Sequence, residues 1–408
     1  MFCPPTGTVP KSRKISEFVE PLTEEQDRSQ SELHADNRWR APISEREMLV
    51  SQVLVLVLGA GTVALFSHYP YYSYHHEGFD LLTSAIRHWD FRGLPASQPK
   101  EFWGYPYLSA LVASITRLSD VFAIVLVSSS SFVLAGYLCS QLCGTTVAVW
   151  MAVVDWWYID GAVEGLTEPL FMSLLLGSFL AIRKERWVVA ALLASAATVV
   201  RPVGIFALLG LAIVLLLKRE FRQLTIATAI GLITGIAYVI PMILIWHDPF
   251  ANVSGYRAND WAGPLPVSIP FFPLIKGAAD VVRTWHAVHP RFVWKPFVEQ
   301  LVIAGWVLFT LIGLAKMSFD KHFRLYSNPY SAEVVFIGAY ALFLFSYNAP
   351  FFLWGHFPRF VIPLAPFLLL VFRNRLSTDR RIISSVALFN TMLALWPKIP
   401  SFHALLSH

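Results

Sequence analysis

Charge is the property that this sequence has least of. Only 14% of its 408 residues are Asp, Glu, Lys or Arg, and 55% are hydrophobic, whereas soluble globular domains have about 25% charged and about 45–50% apolar residues. Because surface charge keeps a large fold in water, this composition excludes an ordinary cytosolic enzyme and a disordered chain. The composition is typical of a polytopic membrane protein.

Cysteine is scarce too, since Cys3, Cys139 and Cys143 contain no C-x-x-C pair and cannot supply a disulfide framework. A single basic stripe is also missing, although the formal net charge is +5. The Lys and Arg residues form short clusters between apolar runs, which argues against a nucleic-acid partner and is typical of membrane topology. No short basic start precedes an apolar run, so we expect no signal peptide.

The chain divides into a polar start and a long apolar remainder. Residues 1–48 are polar and predict a disordered cytoplasmic tail. Residues 49–408 predict an all-α, polytopic transmembrane helix bundle, because a membrane span needs about 20 apolar residues. About eleven crossings are predicted, at 49–67, 120–139, 145–159, 168–182, 187–200, 203–217, 224–246, 298–315, 333–347, 360–372 and 382–396. The amphipathic segment 105–118 is predicted not to cross.

Basic clusters at 183–186, 218–222, 316–324 and 373–381 predict the cytoplasmic turns. The turn at 139–145 is assigned to the same side although it carries no charge. This topology puts the N-terminus in the cytoplasm and the two long loops, 68–104 and 247–297, on the outer face. Both loops are rich in Trp, Tyr, Phe and Pro, which is typical of an interfacial aromatic belt or of a structured cap over a cavity.

Asp80 is the first candidate for chemistry. It opens a helical pattern in the first outer loop, close to Glu77, where apolar surroundings and a fixed direction suit a general base. The alternative is a helix N-cap, a role that Asp fills readily. Asp90 is a second candidate, although the sequence HWDF is equally typical of a helix end.

A metal site is not predicted. His75, His76 and Glu77 are adjacent, so on regular structure their side chains point in different directions, and no His-x-x-x-His spacing is present. No cofactor is therefore expected. A divalent cation is compatible with the sequence, but nothing in the sequence indicates one.

Four acids gather at or near the outer ends of two neighbouring spans. Ionisable groups in membrane segments are costly and point to function. Asp155 is predicted to lie deepest, and Glu168 in the sequence Thr-Glu-Pro is as typical of a helix start as of a catalytic role. The four are Asp155, Asp160, Glu164 and Glu168.

Two arginines are predicted on the same face as these acids. Arg201, followed by a proline, interrupts the apolar stretch 187–217, and Arg359 begins a span beside His356. Arginine has fixed donors that suit a phosphate, and the alternative is snorkelling to the interface. Acids that activate a hydroxyl, together with cations that hold a phosphate, are typical of glycosyl or phosphoryl transfer.

The order of these motifs resembles the GT-C glycosyltransferases. It is most similar to the GPI mannosyltransferase (PIG-V type) family and its bacterial relatives. The segments that carry the resemblance are FDLLTSAI, FWGYPYLSAL, TEPLFMSLL, RKERW and ALLASAATVVRPVG, followed near the end by Arg359-Phe360. The resemblance covers residues 60–220 well and leaves the second outer loop unmatched.

The resemblance implies an inverting enzyme of the bacterial inner membrane or the endoplasmic reticulum. It would transfer a sugar, typically mannose, from a polyprenyl- or dolichyl-phosphate donor to a lipid or glycan acceptor on the outer face. Asp80 would be the general base, and Glu168 would orient a substrate. Arg201 and Arg359 would hold the lipid phosphate. We expect three further residues to bind substrate: Asp90, Glu77 and His356.

Two other classes of function fit a polytopic chain. A transporter or lipid flippase has discontinuous helices and usually internal repeats, and the interruption at Arg201 is compatible with the first feature. A non-catalytic assembly subunit that kept the fold is the third class. No repeat relates the two halves, and the candidate polar groups are predicted at the ends of spans, so a transferase is favoured.

Overall fold

The computed structural model describes residues 43–66, 78–92, 94, 102–252, 254, 267–277, 279, 294–319, 331–347 and 357–395. Over these ranges the chain is helical apart from turns and an antiparallel bridge between Val267 and Tyr347. The predicted all-α class is confirmed. The helices are α1 Glu45–Phe66, α2 Phe79–His88, α3 Gly104–Thr116, α4 Asp120–Cys143, α5 Thr145–Val153, α6 Trp156–Glu164, α7 Glu168–Arg183, α8 Trp187–Val200, α9 Ile205–Leu217, α10 Phe221–Trp246, α11 Trp294–Phe319, α12 Ser331–Ser346, α13 Phe357–Val361, α14 Ala365–Val371 and α15 Arg380–Leu395.

Among the described helices, three are long and apolar enough to cross a membrane: α4, α10 and the part of α11 at Leu301–Phe319. The pair α6 and α7 adds a fourth if it forms one span, bent by 107°. Several other apolar helices are shorter, among them α8 and α12. The predicted number of eleven crossings is therefore not confirmed, since many of the predicted runs are shorter than the about 20 residues of a full span.

The outward faces of these helices are apolar. Leu232, Ile233, Ile236 and Leu244 on α10 are 60–67% exposed. A water-soluble protein rarely exposes such a continuous apolar strip, whereas contact with lipid tails accounts for it. α4 is more enclosed than α10, and its buried Phe132 packs on Tyr158 of α6 with ring centroids 4.9 Å apart.

The predicted span 145–159 is wrong, because the chain forms two short helices there. α5 ends at Val153, and Asp155 is extended (φ −121°, ψ 114°) before α6 begins. The Asp155 carboxylate accepts a hydrogen bond from the Trp157 amide at 2.9 Å. An acid in this position caps a new helix in preference to continuing the old one, and the apolar residues on both sides concealed the break.

Contacts at one end of the bundle join the turns that were predicted to be cytoplasmic. Gln141 donates a hydrogen bond to Glu45 at 3.0 Å, and Arg183 donates one to the carbonyl of Leu142 at 2.8 Å. The uncharged turn at 139–145 thus lies beside the basic turn after α7, as the topology requires. We refer to this end as the inner end.

Arg183 at the inner end of α7 also forms a buried ion pair. Its Nε and Nη2 atoms both lie 3.0 Å from Oε1 of Glu333, in the first turn of α12. The Glu333 side chain is 1% exposed. Because this arginine also bonds to Leu142 at the end of α4, the pair ties three helices together.

The first outer loop contributes α2 and α3, which pack on the opposite end of the bundle, the outer end. Arg87 of α2 pairs with Asp120 at the start of α4 at 3.0 Å. Trp103, directly before α3, packs edge-on against Trp246 at the end of α10, with ring centroids 5.2 Å apart. These two contacts fix the α2–α3 hairpin over the bundle.

Candidate functional site

Glu168 is the centre of a buried ion cluster at the outer end. Its Oε1 accepts hydrogen bonds from Nη1 of Arg201 at 2.7 Å and from Nε of Arg359. The side chain of Glu168 is 1% exposed, and those of the arginines are 13% and 11% exposed. A buried carboxylate is costly unless it is paired, yet here one negative charge meets two positive ones. We refer to this group of one carboxylate and two guanidiniums as the Glu168 cluster.

Arg201 reaches Glu168 because the chain breaks after α8. Arg201 is extended (φ −147°, ψ 130°), and Pro202 starts a 3-10 turn that leads into α9. Proline has no N–H to continue α8. The turn folds back tightly, since a Cβ on Gly204 would lie 2.5 Å from the Thr198 amide nitrogen. The predicted interruption at Arg201 is thus a sharp turn that directs the side chain inward.

Arg359 lies in α13. An aromatic ring lies close to its guanidinium, and another lies close to that of Arg201. The guanidinium of Arg359 is 5.9 Å from the ring centroid of Trp157, and that of Arg201 is 5.7 Å from the ring of Phe360. The hydroxyl of Tyr340 donates to the carbonyl of Phe360 at 2.6 Å, which ties α13 to α12. Rings at these distances attract the cations and exclude water, and both effects strengthen the ionic contacts.

The 107° bend between α6 and α7 positions Glu168 at the start of α7. Gly165 ends α6 in the left-handed region (φ 81°), where a side chain would also collide with α4. The bend leaves backbone carbonyls without helical partners, and side chains satisfy them. Tyr105 donates to the carbonyl of Gly165 at 2.8 Å, and Ser128 donates to that of Leu166 at 2.9 Å. Such replacements make a broken helix possible in an apolar setting.

Asp80 lies in the first turn of α2 and is partly buried. The N-cap position belongs to Gly78 (φ 82°), so the alternative reading of Asp80 as an N-cap is wrong. Phe79 packs edge-on against Tyr105, with centroids 5.2 Å apart. Gly104, at the start of α3, packs tightly against the last turn of α8. A Cβ atom on Gly104 would lie 2.8 Å from the backbone of Val199. These contacts hold the helix of Asp80 at the same end as the Glu168 cluster, and its role as general base stays a prediction.

The other predicted substrate-binding residues are distributed differently. Asp90 is exposed just after α2, and its Oδ1 accepts a hydrogen bond from the Arg92 amide at 3.1 Å, so it has the role of a helix-end residue. Among the described residues, no ion pair or hydrogen bond joins Asp90 to the Glu168 cluster. Glu77 and His356 lie outside the described residues, and their binding roles stay predictions.

The three remaining acids of the segment 155–168 are buried. Asp155, Asp160 and Glu164 are 1%, 7% and 1% exposed. Asp155, which was predicted to lie deepest, shares the lowest of these exposures with Glu164.

Several residues around the cluster gave no functional signal in the sequence. Tyr340 and Phe360 lie in apolar runs, and their sequence context indicates only that they are core residues. Trp157 follows Asp155 closely, and an acid in front of two tryptophans is a recognisable start of a helix. Ser128 and Tyr105 satisfy a bend that no local pattern announced.

Metal ligands were not predicted. Among the residues that the structure describes, no three His, Cys, Asp or Glu side chains are grouped as the ligands of an ion would be. The segment with His75 and His76 lies outside those residues. The expected lack of a cofactor stays a prediction.

Comparison of the chain with protein-family models, with curated proteins and with solved structures found no match. The resemblance to the GT-C glycosyltransferases therefore stays an expectation from short motifs. What the described site can do follows from its own charge and geometry. The site brings two guanidiniums to one buried carboxylate at one end of a bundle of apolar helices.

Proposed function

We propose that this protein is an inverting membrane glycosyltransferase of the GT-C type. It transfers a sugar, mannose by the resemblance to the PIG-V-type family, from a polyprenyl- or dolichyl-phosphate donor to a lipid or glycan hydroxyl. The reaction takes place on the outer face of the bacterial inner membrane or of the endoplasmic reticulum, and the N-terminus is cytoplasmic. The Glu168 cluster carries the proposal.

The arginines of this cluster suit the phosphate of such a donor. A sugar attached to a lipid through one phosphate is a phosphodiester with a single negative charge, and arginine is well suited to bind phosphate oxygens. Glu168 orients the guanidiniums of Arg201 and Arg359, and these two cations bind the donor phosphate.

The proposed reaction is a single displacement. The acceptor hydroxyl attacks the anomeric carbon, the new C–O bond forms as the bond from that carbon to the phosphate oxygen breaks, and Asp80 takes the hydroxyl proton. The leaving group is polyprenyl phosphate, whose second negative charge develops beside Arg201 and Arg359. Fixed cations at the position of developing charge lower the barrier. Attack from the side opposite the phosphate inverts the anomeric centre.

A sugar-transfer assay tests the proposal. Membranes that contain the protein are supplied with a panel of labelled polyprenyl-phosphate sugars and an extract of lipid and glycan acceptors. We expect transfer from one of these donors, and Asp80→Asn is expected to reduce it by at least about 100-fold, a loss within the range of a general base. Asp379→Asn is the matched control, because Asp379 accepts a hydrogen bond from Arg381 at the inner end. Retained transfer by Asp80→Asn excludes the proposed base.

A transporter or flippase is the second candidate, and the bent pair α6–α7 favours it. Transporters place substrates at discontinuous helices, and here a buried charge cluster lies at a 107° bend. Proteoliposomes separate the two functions. A flippase moves a labelled polyprenyl-phosphate sugar between leaflets without an acceptor, whereas a transferase consumes it only when an acceptor is present.

A further inference from the structure

Asp155 is a buried acid that the proposed reaction does not use. It lies between α5 and α6, and its Oδ1 accepts a hydrogen bond from the amide of Trp157 at 2.9 Å. Its Oδ2 is buried and has no hydrogen-bond partner among the described residues. A buried polar group without a partner is costly, which suggests that Asp155 has a role that offsets this cost.

The capping bond fixes the residue whose ring faces Arg359. Trp157 is in the first turn of α6, and its ring also packs on that of Trp156, with centroids 4.4 Å apart. The guanidinium of Arg359 is 5.9 Å from the Trp157 centroid. A shift of the first turn of α6 would therefore move this ring away from the cation.

Arg359 is held from two sides that belong to different helices. Glu168 at the start of α7 binds its Nε, and the ring of Trp157 on α6 lies near the guanidinium carbon. The carboxylate contact is at Nε, and the ring adds a contact from a second helix. The position of a guanidinium decides where its N–H donors point.

We propose that Asp155 is a positioning residue, whose cap on Trp157 holds the ring that contacts the Arg359 guanidinium. The inference deepens the proposed function and rests on it for the identity of the bound phosphate. The positioning itself is a property of the protein without substrate. Asp155 acts through Trp157 and needs only one carboxylate oxygen to do so.

Chemical modification of arginine measures this positioning without any activity. The full-length protein in membranes is treated with phenylglyoxal, and adducts at Arg359 and Arg183 are quantified by peptide mass spectrometry. Arg183 is the internal reference, because it is also paired with a buried glutamate but lies at the other end of α7. We expect Asp155→Ala to raise the reactivity of Arg359 about tenfold, in line with the loss of a desolvated cation–π contact.

Two further variants define the cause. Asp155→Asn keeps an oxygen for the cap, so its Arg359 is expected to react like that of the wild type. Trp157→Leu removes the ring but not the cap, and its Arg359 is expected to react as in Asp155→Ala. Arg183 is expected to stay unchanged throughout. Unchanged Arg359 in Asp155→Ala, equal effects of Asp155→Asn and Asp155→Ala, or a parallel rise at Arg183 would each overturn the proposal.

Kinetics connect the positioning to the proposed reaction. In the transfer assay, Asp155→Ala is expected to raise the KM for the lipid-phosphate donor about tenfold and to change kcat less. If the wild type transfers no sugar, the proposed function fails while the arginine modification still decides the role of Asp155. If the wild type transfers sugar and the modification at Arg359 does not change, only the role of Asp155 fails.

Discussion

The two ends of α7 both carry buried ion pairs, and the two differ in the number of arginines that bind the glutamate. At the inner end Arg183 pairs with Glu333. At the outer end Glu168 pairs with both Arg201 and Arg359. Fifteen residue steps of about 1.5 Å each put these ends about 22 Å apart along the helix axis.

This difference separates a structural pair from a candidate site. A neutral buried pair joins helices, as Arg183 does for α4, α7 and α12. Two arginines that converge on one glutamate are the arrangement from which we propose phosphate binding. Burial of an arginine does not by itself indicate function in this protein, since Arg183 is equally well paired.

The largest effect is expected from Glu168→Gln, which removes the shared anchor of two cations. Unfolding should become easier by about 3–5 kcal/mol, because two buried guanidiniums lose their counter-charge. Sugar transfer should fall by at least about 100-fold, because the arginines no longer have fixed directions. Thermal unfolding in detergent and the transfer assay measure the two effects. A stable variant with full transfer would contradict the role given to Glu168.

Glu333→Gln is the matched change at the other end of the helix. It leaves Arg183 without its carboxylate and should also destabilise the protein by about 3 kcal/mol. Transfer per folded molecule should stay within about twofold of the wild type, because the neutral pair takes no part in binding. If this variant loses transfer as completely as Glu168→Gln, the distinction between the two ends is wrong.

Arg201→Lys sharpens the comparison because it keeps the charge and changes only the geometry. A lysine has no planar fork, so the KM for the lipid-phosphate donor should rise about tenfold, with a smaller change in kcat. Arg87→Lys serves as the control at the same end, since Arg87 pairs with Asp120 on the outside of the bundle. Equal donor affinities in the two variants would exclude phosphate binding by Arg201.

The smallest effect is expected for the exposed pair of Glu47 and Arg380 at the inner end. A hydrogen bond from the Ser44 amide, and then one from Arg380, hold the pKa of Glu47 below its ordinary value. A lowered acid pKa contributes stability above the ordinary value, and this contribution disappears as the pH falls through the lowered pKa. Because solvent screens the exposed pair, Glu47→Gln should unfold at the same temperature as the wild type between about pH 5 and 8.

Helix positions were predictable where chemistry marks both ends of an apolar run. α8 coincides with the predicted segment 187–200, because Arg186 precedes it and an arginine and a proline follow it. The prediction of one span over 145–159 was wrong. Asp155 lies among apolar residues, and its capping bond starts a new helix within the apolar run. The number of crossings stays a prediction, since apolar composition does not specify the length of a helix.

The candidate site was predictable as a set of residue types but not as a set of contacts. Arg201 and Arg359 stood out because arginine is rare in apolar surroundings. The sequence did not indicate that Glu168 is their common partner, because Arg201 is 33 residues and Arg359 is 191 residues away from it along the chain. The ring of Trp157 beside Arg359 likewise joins residues that no local pattern connects.

The sequence by itself determined that this chain is helical and apolar, that its few charges lie at the ends of apolar runs, and that certain acids and arginines share one face. Local physical chemistry is sufficient for this, because hydrophobicity, proline breaks and capping act over a few residues. Only the tertiary structure decided which charges meet. The pairing at Glu168 depends on a 107° bend and on the packing of distant helices, and both follow from the whole fold.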